Sequence, residues 1–185
     1  MLILASQSPR RIQLLSLITK NFINIPSQNN EQYAEDLDYF EVPKVLATQK
    51  ALEVFKNHPD DVVIGCDTVV ITPEGIFGKP KDFIEATYML NVLNNTEHYV
   101  VTGICILSKN KQVIYSEVSK VIFNNLSAQD IFDYIQKTNP YDKAGAYAIQ
   151  EQPIPIIKEF SGEMNNIMGL PLTRLKKELM NIFSE

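Results

Sequence analysis

The sequence predicts an α/β fold built on one long, twisted, mixed sheet flanked by helices. Three observations carry this. Short apolar runs of strand character alternate with stretches of helical period. Two of the longest runs flank a polar tripeptide and so form a hairpin, which makes the sheet mixed rather than purely parallel. The 185 residues, 45% apolar and 21% charged, hold enough apolar material for a real core, in one domain spanning 1–185.

Met1–Ala5 reads as a short buried strand. Ser8-Pro9 opens a helix, since Ser is a good N-cap and Pro is favoured at the first helical position. Ile12, Leu14, Leu15 and Ile18 carry its apolar stripe to about Thr19. Phe22–Ile25 is a second strand. The polar stretch Ser27–Asp38 has no apolar period, and a loop of that length in a compact chain is more often functional than idle. A helix over Val42–Asn57 turns Val45, Leu46, Leu52 and Phe55 inward. Asp61–Thr72, an apolar run broken by one acid, is a central strand, and Gly75 and Gly78 punctuate the turn after it. Asp82-x-x-Glu85 starts a helix carrying Phe83, Ala86, Leu90 and Leu93. His98–Leu107 and Gln112–Phe123 are the hairpin strands around Lys109-Asn110-Lys111. Ser127-x-x-Asp130 opens a helix with Ile131, Tyr134 and Ile135, and Asn139-Pro140 ends it. Ile154–Phe160 is placed at an edge, because Pro153 and Pro155 cannot donate to a ladder. Leu172, Leu175, Leu179 and Ile182 mark a terminal helix.

The composition excludes several classes. A net charge of −5 and a pI near 5.1 argue against wholesale coating of nucleic acid or anionic membrane, while leaving room for a local basic pocket. No apolar stretch approaches the ~20 residues of a membrane span. Cys66 and Cys105, each inside an apolar run, read as a reduced, buried pair, and His58 and His98 are too few for a Cys/His zinc cluster. The first residues are apolar before they are basic, the reverse of a signal peptide, so a cytoplasmic protein is expected.

Nucleotide and hydrolase signatures of the common kinds are missing: there is no G-x-G-x-x-G, no P-loop around Gly78-Lys79-Pro80 and no G-x-S-x-G. Four other places can carry chemistry. Ser6-Gln-Ser-Pro-Arg-Arg11 puts Arg10 and Arg11 in the first turn of a helix, where they oppose the macrodipole at ~0.3–1 kcal/mol each unless an anion compensates. A capped helix with two solvated arginines is the bland alternative. Asp67 stands inside the apolar strand Gly65-Cys-Asp-Thr-Val69, and a buried carboxylate needs a metal, a cation, or work as a general base. A strand-end Asp satisfied by a turn or by Lys79 is the competing reading. Glu31, alone in the polar loop, is by itself an exposed acid, and Lys50 by itself a surface lysine. Tyr141–Gln150 alternates small residues with tyrosines and ends in an amide that can pair with the imide edge of uracil or thymine.

Together these motifs resemble one family. Ser6–Arg11, Lys50-Ala51, Gly65–Val69, Gly78–Pro80, His98–Gly103, Tyr141–Gln150 and Gly169–Leu172 match, in order and essentially end to end, the Maf family of nucleoside triphosphate pyrophosphatases. The resemblance implies a fold shared with inosine-triphosphate pyrophosphatases, elongated and with a cleft between two lobes. It implies a divalent cation, Mg²⁺ or Mn²⁺, release of pyrophosphate with a nucleoside monophosphate, and a homodimer. By motif position Asp67 is the family's acidic catalytic residue, the general base that takes a proton from the water attacking the α-phosphorus. Ser8, Arg10, Arg11, Lys50 and Lys79 fall where the triphosphate is held, and Glu31, with Asp67, falls on the metal or its water. Arg11, Thr68 and Gln150 match the subgroup that acts on dTTP and UTP. Three departures stand out: Asn30 for a usual Asp, Asn94-Asn95 for Ser-Gly, and Ala148 for Gly. The rival from another class is a non-catalytic, division-regulating binding protein. Within the enzyme class the rival is a preference for purine or modified nucleotides.

Overall fold

The computed structural model describes residues 1–28 and 32–184. Its strands are β1 (Leu2–Ala5), β2 (Ile23–Asn24), β3 (Val62–Thr72), β4 (Gly75–Phe77), β5 (Glu97–Leu107), β6 (Gln112–Phe123) and β7 (Ile157–Ser161). Its helices are α1 (Pro9–Leu15), α2 (Val42–Phe55), α3 (Phe83–Leu93), α4 (Ala128–Thr138), α5 (Met164–Ile167) and α6 (Leu172–Phe183). The strands form one sheet in the order β2-β1-β3-β5-β6-β7, with β4 paired to β3. β1 runs parallel to β2 and β3, whereas β4 and β7 pair antiparallel, so the sheet is mixed as expected. The Pro-flanked strand ends the order, an edge position that suits residues unable to donate to a ladder.

Contacts divide the chain into two compact units. The first comprises Met1–Asp67, Thr102–Glu117 and Gly169–Glu185, and the second Thr68–Val101 and Val118–Met168. The core of the first holds Ile3, Ala5, Ala47, Ala51, Val54, Val63, Cys105 and Leu107, where α2 covers β1, β3 and β5. Also in this unit, the Arg174 guanidinium of α6 lies 4.0 Å over the buried Tyr115 ring of β6, with Glu117 at 3.7 Å and Glu178 at 3.6 Å. The core of the second gathers Leu90, Leu93, Phe123, Ile131, Tyr134, Ile135 and Tyr147 between α3, α4 and the sheet. Both helices there start on side-chain caps. Asp82 accepts from Glu85 N–H, and Ser127 and Asp130 form a reciprocal capping box.

Several local expectations shift. α1 ends at Leu15 and passes into a turn rather than reaching Thr19. Its Ser8 side chain makes no cap; instead the Ser8 N–H donates to Ser6 Oγ at 3.2 Å. α2 buries Val42, Leu46, Ala47, Ala51 and Val54, leaving Leu52 44% exposed. Small residues, not the largest apolar ones, face the sheet because the helix lies so close to it. The turn after β3 is a strand, β4, three residues long and too short for a periodicity reading. β7 begins at Ile157, past Pro155, rather than at Ile154. Cys66 and Cys105 are free and buried.

Candidate functional site

Asp67 lies on β3, where side chains alternate between faces, so it shares a face with Gly65. The α2 backbone is pressed onto that glycine. A Cβ on Gly65 would stand 2.1 Å from the Ala47 carbonyl oxygen and 2.7 Å from the Ala51 nitrogen. A Cβ on Gly103 of β5 would meet the Pro43 carbonyl at 2.2 Å. Only glycine admits a helix at this distance. The close approach brings Lys50, one residue before Ala51, to Asp67: Lys50 Nζ donates to Asp67 Oδ1 at 2.6 Å. The two side chains are only 15% and 10% exposed. The ammonium therefore compensates a carboxylate that an apolar strand could not otherwise bury. The second Asp67 oxygen meets no partner among the described residues.

Arg11 braces the same place. Its Nε donates to the Gly169 carbonyl at 2.9 Å and its Nη1 to the Cys66 carbonyl at 2.9 Å, with Ser6 Oγ at 3.4 Å. The start of α1, the residue before Asp67 and the segment before α6 are thus tied by one planar guanidinium. The Gly169 carbonyl also accepts from the Cys66 thiol at 3.2 Å. Burial pushes that thiol up to about 11, so it stays protonated beside the charged pair. Ser8 and Arg10 are half-buried.

The second unit holds the remaining candidates. Thr68 follows Asp67 on β3 and is half-buried. Lys79 is exposed in the stretch after β4, and Gln150 is exposed in a turn. The segment leading to Gln150 folds as two short 3₁₀ turns, Pro140–Asp142 and Ala144–Ala146. Gly145 N–H donates to the Gly78 carbonyl at 3.0 Å, tying this segment to the residue before Lys79. Tyr147 Oη and His98 Nε2 lie 2.8 Å apart, and Ala148 N–H donates to Tyr134 Oη at 3.1 Å. The His98, Phe123 and Tyr147 rings meet edge to face with centroids 4.9–5.4 Å apart. Burial drives the His98 imidazole down to about 4, so it is neutral.

The structure thus brings Lys50, Asp67 and the residues braced by Arg11 together in one unit. The cation on Asp67 is Lys50, where local sequence points to Lys79 or a turn. Lys50's role needs the helix-to-strand approach, and the Ala47/Ala51 spacing opposite a strand glycine is the signal that could have found it. Lys143, within Tyr141–Gln150, is a residue the sequence reading passed over. Glu31 and Asn30 lie outside the described residues. Among the described residues no group of three or more His, Cys, Asp and Glu could hold a metal. Two departures are accommodated in plain ways. Asn95 adopts the left-handed conformation (φ 53) that Gly would supply, and Asn94 brackets Leu126 through its amide. Ala148 is buried with its N–H satisfied by Tyr134.

Comparison with known proteins adds three findings. A family model described as Maf-like protein matches residues 1–182. Proteins named dTTP/UTP pyrophosphatase are similar over nearly the whole chain. That of Geobacillus sp. (strain WCH70) is 44% identical over 181 residues, 98% of this chain and 97% of the relative. That of Acholeplasma laidlawii is 44% identical over 180 residues, 97% and 95% of the two chains. That of Aquifex aeolicus is 39% identical over 180 residues, 97% and 94%. Among solved structures, the Ham1 protein of Staphylococcus aureus superposes with a TM-score of 0.55 at 17% identity, covering 97% of this chain and 98% of its own. A HAM1 protein from Coxiella burnetii gives 0.53 at 14% over the same shares. At these identities the structural likeness concerns the fold alone.

Proposed function

Because this chain belongs to the Maf-like protein family, we propose that it is a nucleoside triphosphate pyrophosphatase that hydrolyses dTTP and UTP to the monophosphate and pyrophosphate. The observation that carries the chemical reading is the Asp67–Lys50 pair: a buried carboxylate compensated by one cation, with an oxygen to spare. In this reading the spare oxygen takes the proton of the attacking water as it bonds to the α-phosphorus, a general-base role that contributes ~10²–10⁴-fold. Lys50, already at the carboxylate, and Arg10 lie in the unit that carries Asp67 and offset negative charge on the polyphosphate. Lys79 is assigned a cationic role toward the polyphosphate by its place in Gly78-Lys79-Pro80. Arg11, assigned to the triphosphate with Arg10, also braces the site. Its Nε holds the Gly169 carbonyl and its Nη1 the carbonyl of Cys66, the residue before Asp67, and so steadies the backbone from which Asp67 projects.

A divalent cation fits this donor set. Mg²⁺ is commonly bound through one or two carboxylates together with substrate phosphates and water, and Asp67 offers such an oxygen, with Glu31 the second candidate. Bound there, the ion supplies charge neutralisation on the triphosphate. Base choice is assigned to Gln150, whose amide both donates and accepts and therefore matches the O4/N3–H edge of uracil or thymine. The homodimer implied by the family resemblance is read from the mass of the protein in solution. No helix among the described residues is long and apolar enough to cross a membrane.

The test is a panel of dTTP, UTP, CTP, ATP, GTP, ITP and 7-methyl-GTP assayed for pyrophosphate with and without Mg²⁺. Pyrophosphate from dTTP and UTP well ahead of the others is expected. A purine nucleotide as best substrate overturns the base assignment. No release from any of them returns the binding-protein alternative.

A further inference from the structure

Among the described residues, Lys143 is the one buried lysine, its side chain 7% exposed. It separates the two 3₁₀ turns, and its Nζ donates to Asp142 Oδ1 at 2.8 Å and lies 3.5 Å from Glu151 Oε2. The two carboxylates are far more open, with side chains 63% and 39% exposed. Burying an ammonium is costly unless it is paired, so here the lysine, not its acidic partners, bears the desolvation. The result is a clasp. One buried charge gathers the chain before and after residues 144–150.

Gln150 sits directly inside that clasp, next to Glu151. The middle of the segment has its own anchors, at Gly145, Tyr147 and Ala148. Beyond Ala148 the chain turns through Glu151 N–H to the Ala148 carbonyl at 3.2 Å, and Gln152 Nε2 donates to the same carbonyl at 3.0 Å. The Lys143 clasp is the charge-assisted tie on this exposed end. Ala146, a non-glycine at φ 61, shows that the segment is held against its local preference, a state that persists only where the surroundings over-determine it.

We propose that Lys143 is a positioning residue for base recognition, holding Gln150 where its amide meets the pyrimidine edge by clasping Asp142 and Glu151. This rests on the reading of Gln150 as the base-reading group. Lys143 makes no bond to Lys50 or Asp67, so its loss should be felt in nucleotide selection and not in the grip on phosphates. A displacement of the reading group by about 1 Å can cost about 10²-fold.

The experiment compares wild type with Lys143→Met and Glu151→Gln in kcat and KM for UTP and ATP, and in inhibition by inorganic triphosphate. Methionine fills the lysine's volume, and the released carboxylates turn to water, so the fold should survive. For Lys143→Met the KM for UTP should rise at least about tenfold, as for a lost hydrogen bond, with kcat within about threefold. The KM for ATP and the inhibition constant for inorganic triphosphate should stay within about twofold. Glu151→Gln, at an open position, should move the KM for UTP the same way by about threefold, and it decides the matter if the methionine variant does not fold. A KM for ATP or an inhibition constant that rises in step with UTP, a loss confined to kcat, or an unchanged KM for UTP in both variants overturns the proposal. A wild-type enzyme without pyrimidine preference refutes the Gln150 reading instead, and is seen before any variant is made.

Discussion

The two units carry their functional side chains in opposite ways. In the first, Asp67 and Lys50 are withdrawn from solvent and bonded directly to each other, and Arg11 is bonded to the backbone beside them. In the second, Lys79 and Gln150 are exposed outside regular structure, and burial falls instead on Lys143, His98, Tyr147 and Tyr134. On the proposed function, the difference follows from what each region would be asked to do. A group that moves a proton gains from a fixed partner and a dry setting, because charge–charge interactions strengthen there. A group that reads a base must stay open to the ligand, so its precision has to come from the chain behind it.

The largest effect should come from Asp67→Asn, which keeps shape and removes basicity. Turnover of dTTP should fall by at least about two decades with an unaltered circular dichroism spectrum. Near-wild-type turnover removes Asp67 from the chemistry. Gly65→Ala comes next. Its Cβ would collide with the Ala47 carbonyl and Ala51 nitrogen, so α2 must lift, at a cost of about 1–3 kcal/mol in denaturant unfolding. Lys50 should leave Asp67 at the same time, so activity falls with stability. A stable, active alanine variant would show that the helix approach does not set the pair. Gly78→Ala is the control in the open region. No atom lies within 4 Å of its added Cβ, and stability should stay within about 0.5 kcal/mol of wild type.

His98 gives the second unit a pH signature. Its imidazole, with no hydrogen-bond partner on Nδ1 among the described residues, titrates at about 4 in the fold because burial disfavours the charged form. The unfolded chain binds the proton at about 6.5, so it holds more protons than the native state between those values. Stability contributed by the neutral imidazole is complete above pH 6.5 and is lost as pH falls toward 4, by roughly 3 kcal/mol in all. His98→Gln should flatten that slope in urea melts taken across the same window. An unchanged slope would place the titration elsewhere.

Much of this was legible in the sequence because it is local. Alternating strands and helices, the Asp82 and Ser127 caps and the edge placement of the proline-flanked strand all follow from short-range rules, and all are observed. Asp67 drew notice because an acid in Val-Val-Ile-Gly-Cys-Asp is out of place. What it pairs with was not legible. Lys50 looks like a surface lysine until Ala47 and Ala51 are seen lying on Gly65, a contact set by tertiary packing. For the same reason Leu52, the larger residue, points outward while alanines face the sheet. Arg11 reads as a phosphate ligand because a guanidinium in a first helical turn suits an anion; its bracing role was not legible. Its bonds to the Cys66 and Gly169 carbonyls join segments more than 50 residues apart, which no local pattern announces. Lys143 sat inside a motif valued for its tyrosines and terminal amide, and a charged residue in a polar-looking run gives no sign of burial.

The division of labour between the units is tested most directly by one quantity, the ratio of kcat/KM for dTTP to that for ATP, measured in wild type, Asp67→Asn and Gln150→Ala. Asp67→Asn should retain the wild-type ratio within about threefold while both rates fall together by about two decades. Gln150→Ala should lower the ratio by at least about tenfold, as expected when a base-pairing amide is removed, with turnover of dTTP much less affected. A ratio that collapses in Asp67→Asn, or survives in Gln150→Ala, would contradict the account.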